Sequence, residues 1–419
     1  MRLPSLGVAA AWAGAFLTLI ATAAAGGPAR EPTFAKDVAP ILFANCVYCH
    51  RPGEIGPFSM RTYEETRPWA KSIKQAILTR KMPPWPADPA YGNLANSKRL
   101  SDRDIQTIVD WVDSGARQGP PDETPALPQF VEGWQIGTPD LIVRMVEPFT
   151  VPASGTIPYM TFPTDYVFPE DTWIQAVEVR PGNRAVVHHA FALLGADASV
   201  ATGLHLYSPG LEPLIFREGY GKLIPKGTRI HLQLHYNANG REETDQTVVG
   251  FKLAAKPAHT AVHSAMVVNT GFAIPPMARN HEVVAAIQFP FPARIHALRP
   301  HMHLRGKDAT VTLIQPDGSR KTLLYIPEWN DGWQYYYVLA KPENVPQGAI
   351  VEYVAHYDNS PANPQNPNPQ ATVTYGDQLW DEMHLLYINW TEVNAENRRD
   401  SEPIQISPNK LWGALVRQP

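Results

Sequence analysis

The sequence has few cysteines, no basic run and only one long apolar stretch. Its 419 residues include two cysteines, Cys46 and Cys49, which excludes a fold held together by several disulfides. The 36 Lys and Arg residues are balanced by 40 Asp and Glu residues, and no basic patch suits nucleic acid. After the N-terminus, no stretch is long and apolar enough to span a membrane.

The apolar stretch at the N-terminus is typical of an export signal. Arg2 precedes an uncharged run from Leu6 to Ala25 that ends in small residues. We expect cleavage near Ala25, a periplasmic or otherwise exported protein, and no stable membrane insertion after cleavage. An uncleaved anchor is the alternative, because about twenty uncharged residues can just span a bilayer.

Proline and glycine are abundant, at 42 and 28 residues, which favours short strands and many turns over long helices. From about residue 130 onward, β-prone segments alternate with turn residues, the pattern of antiparallel β-sandwiches. The preceding segment has helical patterns instead. A proline-rich stretch at 119–130 reads as a linker between the two parts.

A haem-attachment motif lies in the first part of the chain. Residues 45–50 read NCVYCH, a C-x-x-C-H motif. The thiols of Cys46 and Cys49 can form thioethers with the haem vinyl groups, and His50 can bind the iron. A zinc or redox C-x-x-C is the alternative, but the first needs a second cysteine pair and the second a βαβ context. We therefore predict one covalent haem c.

Helices are predicted on both sides of this motif. The second has Ser101 as N-cap with Asp104 three residues later. The sixth iron ligand should be a soft donor from the loop between the helices, and Met82 in KMPPW is the candidate, with Met60 as the alternative. Residues 33–118 resemble class I cytochrome c domains, in which the Met ligand sits on a Pro-containing loop before the last helix.

Thirteen of the fourteen histidines lie in the β-prone part, and several are grouped. Residues i and i+2 of a strand face the same side, so His301 and His303 in RPHMHLRG can reach one metal. His231 and His235 also share a face but lie four residues apart. One of these two is therefore expected to be structural.

The neighbours His188 and His189 present a different problem, because adjacent residues in a regular strand point to opposite faces. Both can reach one metal only at a bulge or a strand end. Periodicity alone leaves open whether one or both are ligands, and it leaves His356 and His384 undecided. The lone histidines are interpreted as ordinary hydrogen-bonded or surface residues: His205, His259, His263, His281 and His296.

The grouped residues favour copper as the metal. Imidazole-rich sites serve zinc, copper, iron or nickel, and RPHMHLRG offers no carboxylate for a 2-His-1-carboxylate site. A thioether ligand would favour copper. Met383 in WDEMHLLYINW is the candidate for it.

Four motifs occur in an order that resembles the copper type II, ascorbate-dependent monooxygenases, which include peptidylglycine α-hydroxylating monooxygenase and dopamine β-monooxygenase. They are VHHAF, IPKGTRIHLQLHYNANG, RPHMHLRG and the late DEM. The resemblance spans roughly residues 165–395. It implies two jelly-roll-like β-sandwich domains that face each other across an open cleft, each with one copper.

The resemblance also implies the ligand sets and leaves His231 as a bystander. The copper that stores and supplies an electron would be bound by His188, His189 and His235. The catalytic copper, at which substrate and O2 meet, would be bound by His301, His303 and Met383.

The resemblance implies a substrate contact as well. Arg299 and Tyr387 occupy positions at which peptide-hydroxylating members bind a carboxylate, but Leu385 stands where those members have Asn. A peptide substrate is therefore not expected, and the substrate is an unknown small molecule.

The predicted architecture is multidomain: a signal peptide (1–25), an all-α cytochrome c domain (33–118), a linker (119–130) and two all-β jelly-roll-like sandwich domains (131–262 and 263–419). The predicted function is an exported copper-dependent monooxygenase that hydroxylates a C–H bond with O2. The haem would relay electrons from an ascorbate-like reductant or a redox protein. The alternative is a non-catalytic copper and haem electron-transfer or copper-binding protein.

Overall fold

Strands make up most of the described part of the chain, and the helices found there lie in its first part. The computed structural model describes residues 30–131, 133–195, 203–393 and 403–406, so the predicted signal peptide lies outside the described residues. The α-helices are α1 (Ala39–Asn45), α2 (Tyr63–Thr66), α3 (Ala70–Leu78) and α4 (Asp102–Asp113). A π-helix (Phe34–Val38) and two 3-10 helices (Arg67–Trp69 and Pro121–Glu123) complete the set. Over the described ranges, none of these helices has the length and apolarity to cross a membrane.

Helix α4 begins as its sequence predicts. The Oγ of Ser101 accepts a hydrogen bond from the backbone N–H of Asp104 at 3.1 Å, which satisfies one of the free N–H groups of the first turn. Ile105 and Ile108 are buried on one face of the helix. They pack with residues of α1 and α3 around a small core.

The predicted fold class, an all-α cytochrome c domain followed by two all-β jelly-roll-like domains, is wrong. The longest helix has 12 residues, and the part of the chain that the structure describes is mostly β-sheet and contains no large all-α domain. Most of the segment between α3 and α4 packs on the strands, although Leu100 at its end joins the helical core. Trp85 and Ala87 are buried in the core formed by the later strands, and Leu94 forms a β-bridge with Leu339.

The first sheet pair consists of two main sheets and a small two-stranded sheet, formed by the strands between Leu141 and Ala261. A six-stranded sheet has the order β1-β11-β4-β8-β12, with β7 beside β4; a four-stranded sheet has the order β3-β9-β5-β6; and β2 pairs with β10. All pairs are antiparallel except β8 with β12. The strands are β1 (Leu141–Arg144), β2 (Phe149–Val151), β3 (Met160–Val167), β4 (Thr172–Arg180), β5 (Val187–Gly195), β6 (Gly203–Tyr207), β7 (Leu214–Ile215), β8 (Tyr220–Ile224), β9 (Arg229–Tyr236), β10 (Glu243–Asp245), β11 (Val248–Leu253) and β12 (Thr260–Ala261).

The second sheet pair begins at His263. It contains a four-stranded sheet of order β13-β22-β16-β19, a five-stranded sheet of order β18-β17-β20-β15-β23, and the pair β14-β21. Its strands are β13 (His263–Val268), β14 (Ala273–Ile274), β15 (His281–Gln288), β16 (Ala293–His301), β17 (Gly306–Ile314), β18 (Arg320–Ile326), β19 (Tyr337–Val345), β20 (Ile350–Tyr357), β21 (Val373–Thr374), β22 (Leu385–Glu392) and β23 (Ile404–Ile406).

Each sheet pair encloses its own apolar core, as in a β-sandwich. The alternation that predicts the strands is visible in β16, where Ala293 and Ile295 are buried and Arg294 between them is exposed. The β-sandwich-like character expected from the sequence is thus confirmed.

A small apolar cluster joins the two sheet pairs and positions the candidate site. Phe191 on β5 packs edge-on against Tyr387 on β22, with ring centroids 5.5 Å apart. Leu193 and Leu206 from the first pair meet Met383 from the second in the same cluster. The faces that carry the grouped histidines are therefore in direct contact.

Candidate metal centres

A β-bulge brings the two adjacent histidines together. In the pairing of β5 with β9, Val187 lies opposite Tyr236 and His189 opposite His235, so His188 is an extra residue in the ladder. The ring centroids of His188 and His189 are 4.2 Å apart. At this bulge the two neighbouring histidines therefore lie side by side and do not point to opposite faces.

His188, His189 and His235, here called the first centre, form a group of the size that holds one metal ion. One ring nitrogen of each lies within 4.8 Å of a ring nitrogen of the others. His188 Nδ1, His189 Nε2 and His235 Nδ1 are buried and have no hydrogen-bond partner among the described residues. Since an unsatisfied buried polar atom costs about 1–3 kcal/mol, three in one place fit a metal-binding site.

Burial keeps these imidazoles neutral, which is the form that binds a metal. Burial, and next the charges of His188 and His303, lower the pKa of His235 to about 3. Burial also lowers the pKa of His188 and of His189. His231, four residues before His235 on β9, is not part of the group and lies opposite Leu193.

The second pair of histidines lies at the end of a strand. His301 is the last residue of β16, and His303 follows beyond the strand, so the predicted strand covers only the first of the two. Their ring centroids are nevertheless 5.2 Å apart at an interplanar angle of 81°. Burial lowers the pKa of His303 to about 4 and that of His301 well below its ordinary value.

Hydrogen bonds fix which nitrogen these two histidines present. Gln334 Nε2 donates to the carbonyl of Asp331 at 3.0 Å, which directs Gln334 Oε1 toward His301 Nδ1 at 2.5 Å. Because a carbonyl oxygen only accepts, His301 Nδ1 carries the proton and its Nε2 keeps the lone pair. His303 Nδ1 faces the carbonyl of Asp381 at 3.3 Å with the same consequence.

Glu382 connects His303 to the segment that carries Met383. Its Oε2 accepts from the backbone N–H groups of His303 at 2.8 Å and Met383 at 3.2 Å, and its Oε1 accepts from that of Arg305 at 2.6 Å. Met383 is buried in the apolar cluster between the sheet pairs. Burial raises the pKa of Glu382 to about 8, against the lowering effect of these N–H groups. His301, His303 and Met383 are called the second centre below.

The two centres meet at a closed contact and not across the open cleft that the resemblance implies. The ring of Tyr159 lies 4.9 Å from that of His235 and 5.9 Å from that of His303. A cavity of about 20 Å³ is lined by residues of both centres, including His189 and His301. It has room for about one water molecule.

Arg299 borders the same cavity inside a cage of aromatic rings. Its guanidinium carbon lies 4.5 Å from the ring centroid of Phe191, 4.9 Å from that of Tyr387 and 5.7 Å from that of Tyr336. Arg299 is 2% exposed, and its Nε and Nη1 have no hydrogen-bond partner within the described part of the chain. A buried cation with free donors can bind an acceptor group of a ligand.

The C-x-x-C-H motif, which is predicted to attach haem, lies at the end of α1. Cys46 caps this helix, and both cysteines are free thiols and half-buried. His50 Nδ1 faces the carbonyl of Phe58 at 3.2 Å, which leaves Nε2 of His50 for another partner. The motif is therefore not engaged in a disulfide, and its histidine has one nitrogen available.

The two candidate sulfur ligands of the iron lie in different surroundings. Met60 is buried in the core shared by the helices, and its backbone N–H donates to the carbonyl of His50 at 3.0 Å. Met82 is half-buried in the turn after α3. The assignment of Met82 stays a prediction.

Several residues of the centres carry no recognisable signal in the sequence. Gln334 and Asp331 lie in an irregular loop between β18 and β19, and Tyr159 lies just before β3. Only Glu382 stood in a recognised motif, DEM, where its role was not predicted. The undecided His384 is a core residue: it is buried against the ring of Tyr353, 4.3 Å away.

No family model matches the chain, and no curated protein matches it. Similar solved structures include the major capsid protein P2 of bacteriophage PM2, with a TM-score of 0.26 and 9% identity over 61% of this chain and 98% of that one. Infectious bursal disease virus Gx strain has a TM-score of 0.21 and 9% identity over 63% and 75%. The VP2 subviral particle of the same virus has a TM-score of 0.20 and 10% identity over 66% and 78%. Similarity at these TM-scores determines neither the fold nor the function of this chain.

Proposed function

We propose that this chain is an exported copper-dependent monooxygenase that hydroxylates a C–H bond of a small substrate, with electrons relayed by a covalently attached haem c. The observation that carries the proposal is the contact of two buried imidazole groups at one cavity, the first of which has three buried nitrogens without a hydrogen-bond partner in the described part of the chain. The order of motifs, which resembles that of the copper type II monooxygenases, supports the same proposal.

The donor sets of the two centres fit copper. Three imidazoles would hold one ion in the first centre, and two imidazoles with the thioether of Met383 would hold the other in the second. Mixed imidazole and thioether sets are ones that copper uses. Bound there, copper would supply single electrons for the reduction of O2. The net reaction takes up substrate, O2, two electrons and two protons, and it yields the hydroxylated product and water.

The protein residues around the second centre would orient its ligands. Gln334 and the carbonyl of Asp381 hold the protonated Nδ1 of each histidine, so that both Nε2 atoms are available to the ion. Glu382 holds the backbone of His303 and that of Met383 with one carboxylate oxygen. Such outer contacts typically change metal affinity or activity by about 10- to 100-fold when they are removed.

Arg299 and Tyr387 would bind the substrate. The free donors of Arg299 favour a substrate that carries an acceptor or anionic group, and the aromatic cage favours an apolar body. Leu385 offers no amide to such a group, which is why the proposed substrate is a small molecule and not a peptide.

The haem would be attached through Cys46 and Cys49, with Nε2 of His50 and the sulfur of Met82 toward the iron. Haem iron in such sites exchanges single electrons. The electron donor would be an ascorbate-like reductant or a redox protein.

A second candidate function is a non-catalytic copper and haem electron-transfer protein. The observation in its favour is the size of the cavity between the centres. At about 20 Å³, this cavity accommodates no substrate unless Tyr159 or its neighbours move.

Metal analysis of the purified protein tests the proposal. We expect one covalent haem by mass spectrometry and two coppers per chain, with two type II signals by electron spin resonance. One copper or none contradicts the enzyme. With both coppers present, O2 uptake coupled to hydroxylation in a substrate panel separates the enzyme from the carrier, which takes up no O2 with any substrate.

A further inference from the structure

One ion pair connects the haem-attachment motif to the strand of the first centre. Glu54 Oε1 accepts from Arg184 Nη1 at 2.6 Å and from Arg51 Nη2 at 2.9 Å. The side chains of Glu54 and Arg184 are 14% and 24% exposed. At this burial, solvent screens the attraction less than it does for a pair on the open surface.

On the haem side, Glu54 belongs to a turn that is packed on His50. The backbone N–H of Gly56 donates to the carbonyl of Cys49 at 3.0 Å. A Cβ on Gly56 would lie 2.6 Å from that carbonyl oxygen and 2.8 Å from the Cα of His50, so only glycine fits there. The position of Glu54 is therefore fixed relative to the predicted iron ligand.

On the strand side, Arg184 lies in the turn that leads into β5. The backbone N–H of Asn183 donates to Asp245 Oδ1 at 2.9 Å, and the carbonyl of Asn183 accepts from the N–H of Val187 at 3.2 Å. The bulge residue His188 follows directly. The main chain at Arg184 is therefore held relative to the first centre.

Two further contacts surround the ion pair. The hydroxyl of Tyr48 accepts from Gln135 Nε2 at 2.7 Å. A Cβ on Gly210 would lie 3.2 Å from Cys49 Sγ, so the second cysteine of the motif approaches the backbone after β6. Tyr48, Gln135 and Gly210 border a cavity of about 20 Å³ beside Glu54 and Arg184, which has room for about one water molecule.

We propose that the Glu54–Arg184 ion pair is a docking contact that sets the separation between the haem-attachment site and the first centre. Both residues are positioning residues: they touch neither the predicted iron nor the predicted copper. The consequence is that electron exchange between the haem and the first centre depends on this ion pair, and this part of the inference rests on the proposed function. The docking contact itself can be measured without either cofactor.

The test compares Glu54→Gln, Arg184→Gln and the double variant, each in the full chain. The first measurement is amide hydrogen exchange of residues 46–56, which reports local opening of the haem-attachment turn. The second is the rate at which reduced haem is reoxidised after Cu(II) loading, followed by its visible spectrum. Lys321→Gln is the control, since it removes a more exposed ion pair of 2.7 Å in the second sheet pair.

We expect each single variant to accelerate exchange about fivefold or more and to slow haem reoxidation, with haem attachment and copper content unchanged. The double variant should be no worse than Glu54→Gln, because that change already removes the ion pair with Arg184 together with the one to Arg51. Arg184→Lys keeps the positive charge, so its hydrogen exchange and haem reoxidation should be closer to those of the wild type than in Arg184→Gln. Lys321→Gln should change neither measurement.

Unchanged exchange in both single variants, or effects that add in the double variant, would overturn the docking contact. Unchanged haem reoxidation despite faster exchange would overturn its role in electron exchange. Wild-type protein that binds no haem or no copper would instead contradict the proposed function. The hydrogen-exchange measurement alone would then show whether the docking contact exists.

Discussion

The two centres achieve similar side-chain groupings by different means. In the first, a backbone bulge places His188 beside His189, and three buried nitrogens lack a partner among the described residues. In the second, hydrogen bonds from the histidines to Gln334 Oε1 and to the carbonyl of Asp381 orient the imidazoles. The first centre depends on strand register and is destabilised when empty. The second depends on loop side chains, so single substitutions should alter it without disturbing a sheet.

The largest difference between the centres should appear on truncating Met383. We expect Met383→Ala to abolish hydroxylation and change the resonance signal of the second centre, because the centre loses its predicted sulfur ligand. The haem spectrum and the signal of the first centre should stay unchanged. Met145→Ala is the control, since it truncates another buried Met in the first core at a comparable cost of about 2–5 kcal/mol. Full hydroxylation by Met383→Ala would contradict the predicted ligand set.

Acid should destabilise both centres in the metal-free protein. The pKa of His235 is lowered to about 3 and that of His303 to about 4, both chiefly by burial. The unfolded chain, with an ordinary histidine pKa of about 6.5, binds protons that the folded chain excludes. The free energy of unfolding should therefore fall as the pH drops from about 6.5 toward 4, by about 3 kcal/mol for each such histidine.

Urea unfolding of chelator-treated protein at pH 7, 5.5 and 4 measures this loss. His235→Asn and His303→Asn should each reduce the pH dependence of the free energy of unfolding. His235→Asn should do so over a wider pH range, because the pKa of His235 is lower than that of His303. A free energy of unfolding that does not change between pH 7 and 4 would show that these imidazoles are not held neutral.

Substitution of one loop residue should change the copper affinity of the second centre but not that of the first. Gln334→Leu removes the acceptor of His301 Nδ1, so that the tautomer with Nε2 free is no longer selected. We expect the copper affinity of the second centre to fall about 10- to 100-fold, while that of the first stays unchanged. Gln334→Glu retains an acceptor oxygen for His301 but loses the donor to the Asp331 carbonyl, so it should lose less affinity than Gln334→Leu does. Competition with a chelator, read by spin resonance, measures both affinities, and equal loss at the two centres would refute the assignment.

The parts that the sequence predicts are those set by local pattern. The N-cap of α4 at Ser101 and the alternation in β16 are both present. The helical domain was predicted wrongly because the burial of Trp85 and Leu94 against distant strands is a non-local property. A proline-containing loop between two helices looks the same in sequence whether it closes a helical domain or packs on a sheet.

The same limit applies to the candidate site. His188 and His189 stand out as a motif, but periodicity does not reveal the bulge at which they converge. Gln334 lies in a loop without any periodic pattern, and its role depends on a contact with His301, 33 residues earlier in the chain. Ligand residue types are visible in a sequence, whereas the residues that orient them require the fold.

The smallest effect is expected at His231, which tests the composition of the first centre. His231 shares β9 with His235, yet the group whose nitrogens converge does not include it. Its Nε2 is buried without a hydrogen-bond partner in the described ranges, so its removal forfeits no bond at that atom. We therefore expect His231→Asn to leave the copper content and the resonance signals unchanged, whereas His235→Asn should remove one copper. Loss of copper from His231→Asn would instead place His231 in the centre.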